Sequence, residues 1–143
     1  MIYTAQTVRA LKLAYEAHAG QTDKSGVPYV FHPVHLAEQM DDEASTVAAL
    51  LHDVVEDTDY TFEDLEKMGF PKEALDAVRL LTHDEDVPYF DYVREIKNNP
   101  VARKVKLADL AHNSDKSRLP GEPTEKDLER LEKYKASKKI LEE

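Results

Sequence analysis

Apolar positions recur at three- and four-residue spacings along nearly the whole chain, and strict polar/apolar alternation is scarce. That period predicts helices rather than strands. The stretch from Thr4 to Ala19 carries Val8, Leu11, Ala14, Tyr15 and His18, and Gly20 closes it. Residues 20–31 read as a polar loop with Ser25-Gly26 and Pro28 as turn signals. Pro33 suits the first turn of a second helix running to about Met40. A third helix, starting near Ser45, carries Val47, Leu50, Leu51, Val54 and Val55 as one continuous element. Thr61 with Asp64 forms a capping pattern for a short helix ending near Gly69. Pro71, Pro88 and Pro100 each mark the start of a new helix. The last helix, about 124–141, opens at Thr124 and carries Leu128, Leu131 and Tyr134 as a core or subunit-contact stripe. Ser117 to Pro123 is the weakest stretch. The expectation is an all-α bundle of about seven or eight helices, in one domain over residues 1–143.

Composition narrows the chemistry. At 143 residues the chain suits one core, without room for a second sizeable catalytic domain. With no cysteine, disulfides, thiolate metal sites and cysteine nucleophiles are excluded. No apolar run approaches the ~18 residues of a membrane span, and Met1-Ile2-Tyr3-Thr4 lacks the plan of a signal peptide. A cytoplasmic protein without membrane attachment is expected. Nineteen basic against twenty-nine acidic residues give a net charge of −10, which disfavours a nucleic-acid backbone as partner. It leaves room for a phosphorylated small ligand where a metal or a few lysines reverse the local field.

Three segments carry candidate chemistry. In Leu50-Leu51-His52-Asp53-Val54-Val55-Glu56-Asp57, helical spacing stacks His52 with Glu56 and Asp53 with Asp57. Three carboxylates then crowd one helix edge, which is either a solvated acidic end or a site needing a cation or proton. Pro28-Tyr29-Val30-Phe31-His32-Pro33-Val34-His35 adds two histidines. Val105-Lys106-Leu107-Ala108-Asp109-Leu110-Ala111-His112-Asn113 sets Asp109 inside an apolar run, where an unpaired carboxylate is costly. Taken singly, each of these has an ordinary structural reading, as helix start, cap or hydrogen-bonded core residue.

Together they resemble the HD phosphohydrolase superfamily, and within it the RelA/SpoT-type hydrolase branch. The resemblance rests on His18-Ala19-Gly20-Gln21, Lys24-Ser25-Gly26-Val27-Pro28-Tyr29, His32-Pro33, the stretch from Ala48 to Thr58 and Val105 to Asn113, in that order, and covers about residues 5–120. It implies a single HD-type hydrolase domain, as in stand-alone small alarmone hydrolases. It assigns His32, His52, Asp53 and Asp109 as ligands of one divalent metal ion, and Glu56 and Asp57 to water activation and proton transfer. Two imidazoles and two carboxylates suit Mn²⁺, Zn²⁺ or Fe²⁺; the family implies Mn²⁺. The implied reaction is hydrolysis of the 3′-pyrophosphate of guanosine tetra- or pentaphosphate.

Lys24 and Ser25 resemble the family's nucleotide-contacting loop, against the alternative of a polar turn, and Asn113 matches a ligand-contacting asparagine. Tyr92 and Lys97 are further substrate-binding candidates. Arg103, Lys104 and Lys106 form a local basic cluster that either draws a polyphosphate or pairs with surface acids. His35 and His112 are read as packing or supporting residues, whereas His18 and His83 stay unassigned. Two positions depart from the family pattern. Asp23 and Asp115 stand where arginines are usual, and an aspartate cannot stack on a base as a guanidinium does. A different nucleotide, or a non-catalytic nucleotide-binding module, is therefore the alternative reading. The sequence leaves the oligomeric state open.

Overall fold

Nine α-helices and no named strand make up the computed structural model, which describes residues 1–143. The helices are α1 (Ala5–Ala17), α2 (Phe31–Glu38), α3 (Glu43–Leu51), α4 (Val54–Asp57), α5 (Phe62–Lys67), α6 (Lys72–Leu81), α7 (Tyr89–Ile96), α8 (Pro100–Asn113) and α9 (Glu125–Glu142). A single 3₁₀ turn, Lys116–Arg118, sits in the loop before α9, and one isolated bridge between Thr22 and Pro28 pins the loop before α2. No helix is long and apolar enough to cross a membrane.

Local chemistry sets most boundaries. Thr4, Thr61 and Thr124 each accept from the third helical amide, and a side chain at that position reaches back to the cap. Asp42 and Asn99 cap α3 and α8 with their side-chain oxygens. Pro71 and Pro88 immediately precede α6 and α7, and Pro100 is the first residue of α8. Gly20, at φ 83°, turns the chain after α1 in a conformation that a side chain would strain.

Helix α3 is the centre of the bundle. Every residue from Ser45 to Leu51 is buried, as expected of a helix surrounded by others. It packs against α1, α2, α6 and α8. Leu50 and Leu51 are wholly buried, each worth about 1.5–3 kcal/mol of transfer free energy. The elements that carry the candidate metal ligands are thus neighbours in one core.

Three expectations need correction. The third helix is not continuous: it stops at Leu51 and restarts at Val54, and Asp53 adopts φ −107°, ψ 1°. With this break the count is nine, against the seven or eight expected. On α1 the buried face is Thr7, Ala10, Leu13 and Ala14 with His18, leaving Tyr15 68% exposed. On α9 only part of the stripe faces the core: Tyr134 packs against it half-buried, Leu128 is 50% exposed, and Asp127, Ser137 and Leu141 are the buried positions. Asp127 goes inward because Lys24 reaches it at 2.7 Å, tying the last helix to the loop before α2.

Candidate metal centre and cleft

Three side chains from three helices, or their immediate ends, converge. His32 on α2, His52 at the end of α3 and Asp109 on α8 are all buried. One ligand atom from each lies within 4.8 Å of the others. His32 Nε2 is 2.9 Å from Asp109 Oδ1, and His52 Nε2 is 3.7 Å from the same oxygen. The break after Leu51 brings in the fourth residue, with Asp53 Oδ2 2.8 Å from His52 Nε2.

The donor chemistry fits a divalent cation. His52 Nδ1 lies 2.7 Å from the Ala49 carbonyl, so Nδ1 donates there and Nε2 is the nitrogen turned towards the carboxylates. That Nε2 is buried and has no properly oriented hydrogen-bond partner, as expected for a nitrogen meant for a metal. His32 uses its other nitrogen differently: Nδ1 is 2.7 Å from His112 Nδ1. Metal-ligating histidines commonly fix their orientation through the second nitrogen. Here the partner is another imidazole, which in turn stacks on His35 with ring centroids 4.0 Å apart. Burial, then the Arg118 charge, pushes His112 down to about 4, so it stays neutral and able to accept.

The charges are compensated locally. Asp109 pairs with Lys106 at 3.1 Å and accepts from Asn113 Nδ2 at 3.0 Å. Burial opposes its ionisation, yet Lys106 and the histidines hold it well below the ordinary carboxylate range. Asp53 accepts the Tyr29 hydroxyl. Burial and then Asp53 push that phenol upward, so it remains a donor.

A second group, Asp53, Glu56 and Asp57, gathers carboxylate oxygens within 4.8 Å. Glu56 Oε1 accepts from the His83 backbone amide at 2.7 Å. The Asp57 carbonyl accepts from Gln21, whose Oε1 lies 2.8 Å from buried His18 Nδ1. Burial, reinforced by neighbouring carboxylates, raises both Glu56 and Asp57 above ordinary values. Carboxylates with a raised proton affinity are suited to accept a proton from water. Asp53, Glu56 and Asp57, with His52, Asp109, Tyr92 and Asn113, line a cleft of about 230 Å³.

The HD domain family profile matches residues 10–113, most of the chain. The chain belongs to the HD domain family. Among relatives of this HD chain, the Danio rerio protein named guanosine-3′,5′-bis(diphosphate) 3′-pyrophosphohydrolase MESH1 is 36% identical over 123 residues, covering 77% of the chain and 68% of that protein. The Escherichia coli bifunctional (p)ppGpp synthase/hydrolase SpoT is 36% identical over 122 residues, covering 73% of the chain. The chain spans only 17% of SpoT's own length. A solved structure described as a metazoan ortholog of SpoT that hydrolyzes ppGpp superposes with a TM-score of 0.77 at 29% identity, covering 99% of the chain and 88% of that structure. A one-domain all-α HD architecture is the result.

The HD cleft adjoins a second cavity of about 350 Å³, which shares Tyr29, Asn113 and Tyr134 with it. Lys24, Asp23, Asp115, Lys116 and Arg118 line this second space. Lys24 is spoken for by Asp127, and Ser25 donates to the Arg118 carbonyl at 2.6 Å. Asp23 caps its own turn by accepting from the Ser25 and Val27 amides. Arg118 supplies a guanidinium beside it, 3.8 Å from Asp23 Oδ2, and also bonds the His112 carbonyl and Asn113 Oδ1.

Other expected site residues separate. Tyr92 lines the cleft, but its hydroxyl is used on the Leu81 carbonyl at 2.6 Å. Lys97 caps the far end of α7 from Tyr89, so it lies outside the cleft. The basic cluster also disperses. Lys104 pairs with Asp41, and Arg103 Nε donates to the Leu141 carbonyl. Only Lys106 enters the cleft, because successive helical residues point about 100° apart. Sequence reasoning missed Tyr29 as a partner of Asp53, Tyr134 and Lys133 as cleft residues, and His83, whose ring nitrogen lies 2.8 Å from the Val87 carbonyl. Of these only Tyr29 had a local signal, its place three residues before His32.

Proposed function

We propose that this chain hydrolyses the 3′-pyrophosphate of guanosine tetra- or pentaphosphate, giving GDP or GTP and pyrophosphate, in the cytoplasm. What supports the reading is one observation: His32, His52 and Asp109 converge, and His52, Asp53 and Asp109 share one cleft with the separate pair Glu56 and Asp57. His32, His52, Asp53 and Asp109 hold one divalent ion, Mn²⁺ by preference, with Zn²⁺ or Fe²⁺ as substitutes. A bound ion of this type polarises a phosphoryl oxygen and acidifies water.

The chain's own residues do the rest. Glu56, fixed by the His83 amide, and Asp57 orient the attacking water and take its proton; their raised affinity for protons suits that task. Asn113 has its amide oriented by Arg118 and Asp109 and faces both cavities, placing it between phosphate and nucleoside. The nucleoside occupies the larger cavity between Tyr29 and Tyr134, with Lys24 on its wall and Ser25 next to Lys24 in the loop before α2. Arg118 presents there the planar guanidinium that position 23 lacks. The test is pyrophosphate release from guanosine tetraphosphate in Mn²⁺. Strong release that Asp57→Asn abolishes while the metal stays bound supports the proposal; no release overturns the substrate.

A second reading rests on Asp23 and Asp115. Both carboxylates line the nucleoside cavity and would repel a further phosphate there. Turnover of a different phosphorylated nucleotide in a substrate panel, with guanosine tetraphosphate inert, selects it.

A further inference from the structure

Two ammonium groups line the cleft that holds the metal ligands, and their situations differ. Lys106 is committed: its Nζ sits 3.1 Å from Asp109 Oδ2, with its side chain 11% exposed. Lys133, from α9, forms no ion pair. Its Nζ lies across the ring of Tyr89 at 4.3 Å from the centroid, a weak resting contact for a cation. Burial, then the neighbouring Lys106 and Arg130 charges, press its pKa down. Lys133 is exposed, and its ammonium is free of any ion pair in a cleft that four carboxylates also line. It sits in the cleft that already contains Asp109, His52 and Asn113.

We propose that Lys133 binds a phosphate of the substrate next to the one at the His32, His52, Asp53 and Asp109 set, so that the cleft selects two linked phosphates over one. The inference rests on the reading of the cleft as a phosphohydrolase site. Lys106 cannot fill this role without giving up its ion pair with Asp109 Oδ2. Lys133 has only an aromatic face to give up, and a charge-assisted bond to a phosphate oxygen is the stronger contact. It lies beyond residues 10–113, the part matched by the HD family, so α9 supplies a recognition element that the HD core does not contain.

The probe is inorganic pyrophosphate, with inorganic phosphate as comparison, titrated calorimetrically into the full chain at fixed free Mn²⁺. Lys133→Met should weaken pyrophosphate binding by roughly tenfold and phosphate binding far less. Lys133→Arg should stay within about threefold, and Lys135→Met, exposed on the same helix, should match the parent protein. With guanosine tetraphosphate the Lys133→Met loss should fall on KM more than on kcat. Equal pyrophosphate affinity in Lys133→Met and the parent overturns the subsite, as does an equal loss in Lys135→Met. If the parent protein binds pyrophosphate through Lys133 but leaves guanosine tetraphosphate intact, the subsite stands and the substrate assignment falls.

Discussion

Replacing His112 by phenylalanine tests how the first metal ligand is held. His32 Nε2 faces Asp109, and its Nδ1 lies 2.7 Å from His112 Nδ1. A metal on Nε2 requires the proton on Nδ1, so His112 must accept there. Phenylalanine keeps an aromatic ring against His35, whose ring lies 4.0 Å away, but removes the acceptor. His32 is 4% exposed, so water cannot easily replace it. Leaving a buried donor unpaired costs about 1–3 kcal/mol, which is about five- to 150-fold in affinity; lost outer-sphere partners usually cost 10–100-fold. Titration of Mn²⁺ into the metal-free protein should show that loss, and His112→Gln, which can present a carbonyl oxygen, should recover part of it. ¹⁵N spectra of the Zn²⁺ form should place the His32 proton on Nδ1 in the parent protein. Mn²⁺ affinity within twofold of the parent in His112→Phe, with an unchanged thermal midpoint, would refute the reasoning.

Other predictions are independent of this one. Leu51→Ala, at a fully buried position of α3, should cost about 2–5 kcal/mol in urea unfolding; a loss under 1 kcal/mol would contradict the packing described. Asp127 is held down to about 2, first by Lys24 and then by the Thr124 amide. Its folded value is below the unfolded one, so its stabilisation is present above about pH 4 and disappears as pH falls towards 2. The thermal gap between the parent protein and Asp127→Asn should therefore close over that window. In the metal-free protein, carboxyl NMR should find Glu56 and Asp57 titrating above ordinary carboxylates. Asp53→Asn should lower both, since the Asp53 charge contributes to each shift.

Legibility in the sequence followed the range of the cause. Thr61 with Asp64, Pro88 and Pro100 announce helix starts because caps and prolines act within one turn. The His32, His52, Asp53 and Asp109 pattern was readable because its order and spacing are specific. The break at His52-Asp53 was not, because nothing local forces it. It is secured from outside, by the Tyr29 hydroxyl on Asp53 and the His83 amide on Glu56. Arg103, Lys104 and Lys106 look like a cluster on paper, yet the helix sends them to three partners. Lys97 lies away from the cleft because α7 points its cleft end at Tyr89. Lys133 carried no signal, since an amphipathic reading of α9 fails where a buried Asp127 answers a lysine 103 residues away.

That last pairing bears on synthesis. His32 meets Asp109 across 77 residues, and Lys24 meets Asp127 across 103. Contacts so distant in sequence close late, after the local helices have formed. A growing chain on the ribosome therefore carries an acidic half-site, His52, Asp53, Glu56 and Asp57, long before α8 and α9 emerge to balance it. The site becomes whole only once α9 has emerged.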